Sequence, residues 1–111
     1  MFHSQLPSVD AASVPLDAFL LDVREPEEWA AGHADGAVHI PMGEVVARMA
    51  ELPEDGRVHV VCRAGGRSAQ VAQYLIAQGV DAVNVDGGML DWEAVGRPLV
   101  ADGSAGDPYV L

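Results

Sequence analysis

The single cysteine of this chain, Cys62, closes the apolar run Val58-His59-Val60-Val61, and the loop Arg63-Ala64-Gly65-Gly66-Arg67-Ser68 follows it directly. A helical pattern opens straight after the loop. Free amides of a tight loop and of a helix's first turn favour an anion, and so does the positive end of the helix dipole. Aimed at the sulfur, they lower the pKa of a thiol. Arg63 and Arg67 act in the same sense. The expected chemistry is that of an activated thiolate in an anion-binding cradle, with Cys62 as nucleophile. An inert buried thiol is the alternative for an isolated cysteine.

For this cradle to work, a strand must deliver Cys62 to the carboxyl edge of a sheet and a helix must start just beyond it. The chain supplies such elements in alternation. Leu20-Leu21-Asp22-Val23 lies in a strand-length apolar run, and Pro26 can then open a helix with Glu27 and Glu28 in its first turn and Gly32 as its stop. Ala37-Val38-His39-Ile40 is a short strand ended by Pro41. Val45, Val46, Met49 and Leu52 fall at helical spacing, with Glu44 and Arg48 as an i,i+4 pair and Pro53 as terminator. Beyond the cysteine loop, Val71, Ala72, Leu75 and Ile76 give a helix an apolar face, with Gly79 just past its end. Ala82 to Val85 is another strand, and Asp86-Gly87-Gly88 turns into a final helix carrying Met89, Leu90 and Trp92. Strands buried on both faces and separated by helices imply an α/β fold with a mostly parallel sheet.

At 111 residues the chain is expected to be one domain over residues 1–100. Residues 101–111 show no periodicity and are expected to form a loosely ordered tail. The formal charge is −11, with six cationic residues, all arginine. That balance argues against nucleic acid or an anionic membrane as partner. Attraction for an anionic substrate must therefore be local. One cysteine excludes an internal disulfide framework, and no Cys/His spacing suggests a metal site. No signal-peptide or membrane-span pattern is present, so a cytoplasmic, monomeric protein without cofactor is expected.

In this order, Leu21-Asp22-Val23-Arg24-Glu25-Pro26, Gly32-His33, Gly36-Ala37, His39-Ile40-Pro41, the loop Cys62 to Ser68, and Asp86-Gly87-Gly88 with Trp92, Gly96 and Pro98 form a pattern that resembles the single-domain rhodanese (thiosulfate sulfurtransferase) family. The resemblance implies a three-layer α/β/α fold around a five-stranded, mostly parallel sheet. It also implies ping-pong transfer of a sulfane sulfur, from thiosulfate or a persulfide to a thiol or cyanide, through a persulfide on Cys62. The N–H groups of Arg63, Ala64, Gly65, Gly66, Arg67 and Ser68 would cradle the terminal sulfur anion. Gly65 and Gly66 would allow close approach and unusual backbone conformations. Arg63 and Arg67 would bind the sulfonate end of thiosulfate.

Bland roles compete at several of these positions. Arg67 could instead form a structural salt bridge, and Arg63 could point to solvent. Asp22 and Arg24 read as a structural ion pair bracing the active-site end of the sheet. His59 lies three positions before Cys62 on a strand and so points to the opposite face. His33 and His39 look structural, and Trp29 and Trp92 look like packing residues. A cysteine phosphatase or arsenate reductase would carry five residues between cysteine and arginine, whereas four stand here, and no general acid is evident. A binding module without turnover would have no need of the cysteine. With one cysteine there is no resolving thiol, so the sulfur must leave to an external acceptor, a small or protein thiol.

Overall fold

The computed structural model describes residues 6–103 and 106–111. In chain order its elements are β1 (Ser8–Asp10), β2 (Phe19–Asp22), α1 (Pro26–Ala31), β3 (His33–Ala34), β4 (Val38–His39), β5 (Val58–Val61), α2 (Gly66–Ala77), β6 (Ala82–Asp86), α3 (Gly88–Ala94) and β7 (Leu99–Val100). Five of the strands form one sheet in the order β1-β6-β5-β2-β4. Every pairing in it is parallel, with Leu21 opposite Val60 on one side and Val38 on the other. β3 and β7 make a separate antiparallel ribbon.

Alternation along the strands sends side chains to two cores. Leu21, Val23, Val58, Val60 and Cys62 pack with Val71, Ala72 and Leu75 of α2 and with Val45 and Leu52. Leu20, Val61 and Val85 face the other way, against Ala11, Val14 and the α3 residues Met89 and Trp92. The sheet is thus covered on both faces, as its continuous apolar strands require. Its carboxyl edge carries the cysteine loop.

The helix ends follow the sequence cues. Pro26 is the first residue of α1, the Glu25 amide donates to the Glu28 carboxylate at 2.9 Å, and Gly32 follows the last turn. Past α2, Gly79 takes a left-handed φ of 89°, the Gly79 amide donates to Ile76 and the Val80 amide to Leu75. These two bonds close a Schellman motif.

Two features depart from the expectations. The segment with helical spacing from Val45 to Leu52 is not an α-helix; it runs through short 3-10 turns at Met42–Glu44 and Met49–Glu51. Arg48 breaks the helix at φ −114°, ψ 19°. Gly43 and the β-branched pair Val45-Val46 weaken helix formation in a segment bracketed by Pro41 and Pro53. Val45 and Leu52 are nevertheless buried, and Arg48 bonds Glu44 at 2.9 Å and Glu51 at 2.7 Å. β1 is an extra edge strand, held by its parallel pairing to β6. In the described part of the tail, which carries no periodicity, the Asp102 amide donates to Ala30, the Tyr109 amide to Ala31 and the Val110 amide to Glu93. Residues 104–105 of that tail lie outside the described residues.

Candidate active site

β5 ends at Val61 and places Cys62 at the sheet's carboxyl edge, with 1 % of its surface exposed. Such edges, facing the start of the next helix, are where α/β sheets build their sites. The Gly65 amide donates to Cys62 Sγ at 3.1 Å, and the Ser68 hydroxyl donates to it at 3.3 Å. Burial pushes the Cys62 thiol up. Hydrogen bonds from the Ser68 hydroxyl and from the amides of Ser68, Gly65 and Ala64 pull it down, and the balance lies below the ordinary cysteine value. Sulfur, loop amides and the first turn of α2 therefore converge as the spacing predicts.

The loop holds its amides inward because its carbonyls are tied outward. The Met89 amide takes the Cys62 carbonyl at 2.8 Å, and the Leu90 amide takes the Arg63 carbonyl at 3.0 Å. Asn84 Nδ2 donates to the Gly65 carbonyl at 3.3 Å. Gly88 allows this approach: a Cβ there would lie 2.4 Å from the Cys62 carbonyl oxygen and 2.6 Å from that of Arg63. Of the two loop glycines only Gly65 has a left-handed φ, 112°. Gly66 begins α2 with open space around the position of a Cβ.

Both mouth arginines are engaged. Arg67 Nη1 and Nη2 donate to the two Glu28 carboxylate oxygens at 2.8 and 2.9 Å. This bidentate pair draws Glu28 down to about 2, its bond from Arg67 outweighing partial burial. Arg63 Nε donates to the main-chain oxygen of Leu111 at 2.9 Å, so the tail reaches the rim of the loop. The Glu28 contact spans 39 residues and has no local signature in the sequence.

Asp22 and Arg24 form a buried ion pair. Both side chains are fully buried, Arg24 Nε and Nη2 grip the Asp22 carboxylate at 2.8–3.1 Å, and Nη2 also bonds the Gly32 carbonyl at 2.8 Å. The pair braces α1 against β2, next to the site. His39 Nε2 bonds the Arg24 carbonyl at 2.7 Å and His33 Nδ1 the Trp29 carbonyl at 2.6 Å. A carbonyl only accepts, so each of these ring nitrogens carries a proton. Both imidazoles stack on Trp29, with centroids 3.5 and 4.7 Å away. Trp92 donates to the Pro98 carbonyl at 3.1 Å beneath the Arg97 guanidinium. His59 is buried, and that burial pushes its pKa down. It points away from Cys62, so it is not placed to take the cysteine's proton. Among the described residues no cluster of three or more His, Cys, Asp or Glu side chains could hold a metal. No helix described is long and apolar enough to cross a membrane.

Residues 8–95 match the family model of the rhodanese-like domain. A Bacillus subtilis (strain 168) protein named "Putative sulfurtransferase YtwF" is 45 % identical over 82 residues, which are 74 % of this chain and 80 % of that protein. A protein of Allochromatium vinosum named "Sulfurtransferase" is 42 % identical over 86 residues, covering 77 % of this chain and 80 % of the relative. The crystal structure of a rhodanese-related protein from Thermoplasma volcanium superposes with a TM-score of 0.81 at 32 % identity, over 86 % of this chain and 99 % of that one.

Proposed function

Because this chain belongs to the rhodanese-like family of sulfurtransferases, we propose that it moves a sulfane sulfur from thiosulfate or a persulfide donor to a thiol or cyanide acceptor through a persulfide on Cys62. The observation that carries this reading is the pair of donors on Cys62 Sγ, the Gly65 amide and the Ser68 hydroxyl. They stabilise a thiolate before reaction, and the same inward-facing groups suit the terminal sulfur anion of a persulfide.

In the first half-reaction the Cys62 thiolate attacks the outer sulfur of thiosulfate. A sulfur–sulfur bond forms to Cys62, the donor's own sulfur–sulfur bond breaks, and sulfite leaves with the electron pair. In the second, an acceptor thiolate attacks the terminal sulfur of the persulfide, and Cys62 departs as a thiolate. Donor and acceptor thus occupy the site in turn, which is ping-pong covalent catalysis. The cradle amides from Arg63 to Ser68 hold the transferred sulfur, and Arg63 and Arg67 are the candidate ligands for a donor's anionic end. Asp22 and Arg24 are assigned a supporting role, bracing the end of β2 against the end of α1. The chain has no second cysteine, so the acceptor is external, a small thiol or one on a protein. A reducing compartment, the cytoplasm, suits such a free thiol. We assign the working form as a monomer, since nothing in the sequence calls for a second copy.

Incubation with thiosulfate without acceptor, followed by intact mass, tests the reading. The wild-type chain should gain one sulfur atom, released on adding cyanide or a thiol, and Cys62→Ser should gain none while keeping its circular-dichroism spectrum. A modified Cys62→Ser protein, or a wild type inert to thiosulfate and persulfides alike, removes the covalent mechanism.

A further inference from the structure

Sulfur transfer through Cys62 makes no use of Glu28. Its side chain is 13 % exposed in the first turn of α1, and both its oxygens are spent on Arg67 at 2.8 and 2.9 Å. The capping bond from the Glu25 amide at 2.9 Å fixes the same carboxylate. Of the two cations in the cysteine loop, Arg63 is turned to Leu111. Arg67 stands in the first turn of α2, next to Ser68, whose hydroxyl donates to Cys62 Sγ. Glu28 compensates the Arg67 charge before any donor arrives.

Thiosulfate brings two negative charges and departs as doubly charged sulfite, so it gains from an uncompensated cation beside the sulfur. The persulfide group of an organic donor brings one negative charge at most to the reacting centre and sheds a thiolate. We propose that Glu28 is a specificity-determining residue, which withholds the Arg67 guanidinium from a sulfonate and so turns the site toward organic persulfide donors over thiosulfate. The inference rests on the sulfur-transfer reading and narrows its donor. The favoured step is attack of the Cys62 thiolate on the outer sulfur of R–S–SH. The bond from Cys62 to that sulfur forms, the donor's sulfur–sulfur bond breaks, and R–S⁻ leaves with the electron pair. The proton stays on the transferred sulfur or passes to water, and no oxidant or reductant is needed.

The test measures single-turnover loading of Cys62 by thiosulfate and by glutathione persulfide, with thiolate absorbance against pH, in the wild type, Glu28→Gln and Glu28→Gln/Arg67→Gln. Glu28→Gln should raise the thiosulfate loading constant about tenfold and leave the persulfide constant within about threefold. It should also lower the Cys62 pKa, because the freed guanidinium then stabilises the thiolate. The double variant should return both properties toward wild type, showing that the gain acts through Arg67. Equal losses for both donors together with a lowered Tm would make the pair purely structural and overturn the proposal, as would an unchanged thiolate titration in a folded Glu28→Gln protein. If no donor loads the wild type, the sulfur-transfer reading fails, while the thiolate titration still decides whether Glu28 masks Arg67.

Discussion

Burying a thiol disfavours its thiolate, yet Cys62, at 1 % exposure, ionises more readily than an ordinary cysteine. The difference is made by donors aimed at one sulfur, and the Ser68 hydroxyl is the one that a side-chain substitution can remove. Ser68→Ala should raise the Cys62 pKa and move the pH profile of sulfur loading to higher pH. The rate near neutrality should drop about tenfold, since one pKa unit is worth about 1.4 kcal/mol. Alkylation kinetics against pH check this; an unmoved profile would mean that the amides alone set the pKa. Cys62, Gly65 and Ser68 were legible in the sequence because they interact within six residues of one another. The fate of the arginines was not. Arg67 meets Glu28 across 39 residues and Arg63 meets Leu111 across 48, distances over which only the folded chain decides partners.

An element can matter through its first residue alone. α3 starts at Gly88, whose φ of 58° and close carbonyl neighbours leave no room for a Cβ. Gly88→Ala should destabilise the protein by about 3 kcal/mol and raise the Cys62 pKa, because the displaced carbonyls carry the loop with them. Gly66→Ala is the contrast: open space and an ordinary φ should keep its stability within about 0.5 kcal/mol of wild type. Urea denaturation of both variants checks the pair, and equal costs would refute the role given to Gly88. Pro26, the first-turn glutamates and Gly32 identified α1, while α2, α3 and the central strands were legible from the apolar residues they bury. Periodicity failed at Val45 to Leu52, where Val45 and Leu52 are buried but Val46 is 66 % exposed and Arg48 leaves helical dihedrals. It also passed over β1, whose three residues Ser8, Val9 and Asp10 have no apolar run and owe their extended form to pairing with β6.

At the scale of the whole molecule, a net charge of −11 repels anionic donors, while the attractive groups act only within the cradle. Raising ionic strength from about 0.02 to about 0.3 M shortens the Debye length from roughly 20 Å to below 10 Å and should speed loading by thiosulfate severalfold. An uncharged trisulfide should show no such rise, and a salt-independent thiosulfate rate would remove long-range repulsion as a factor. The net acidity was legible in composition, and the parallel layered sheet in the alternation of apolar strand runs with helical segments. The docking of the tail was not, because residues 107–111 lack periodicity and are held one backbone or side-chain bond at a time. That docking bears on how the protein can be handled. Leu111 lies one hydrogen bond from Arg63, so an affinity tag or fluorescent reporter joined after it would emerge at the rim of the Cys62 loop. β1 instead begins at the amino edge of the sheet, the side away from Cys62.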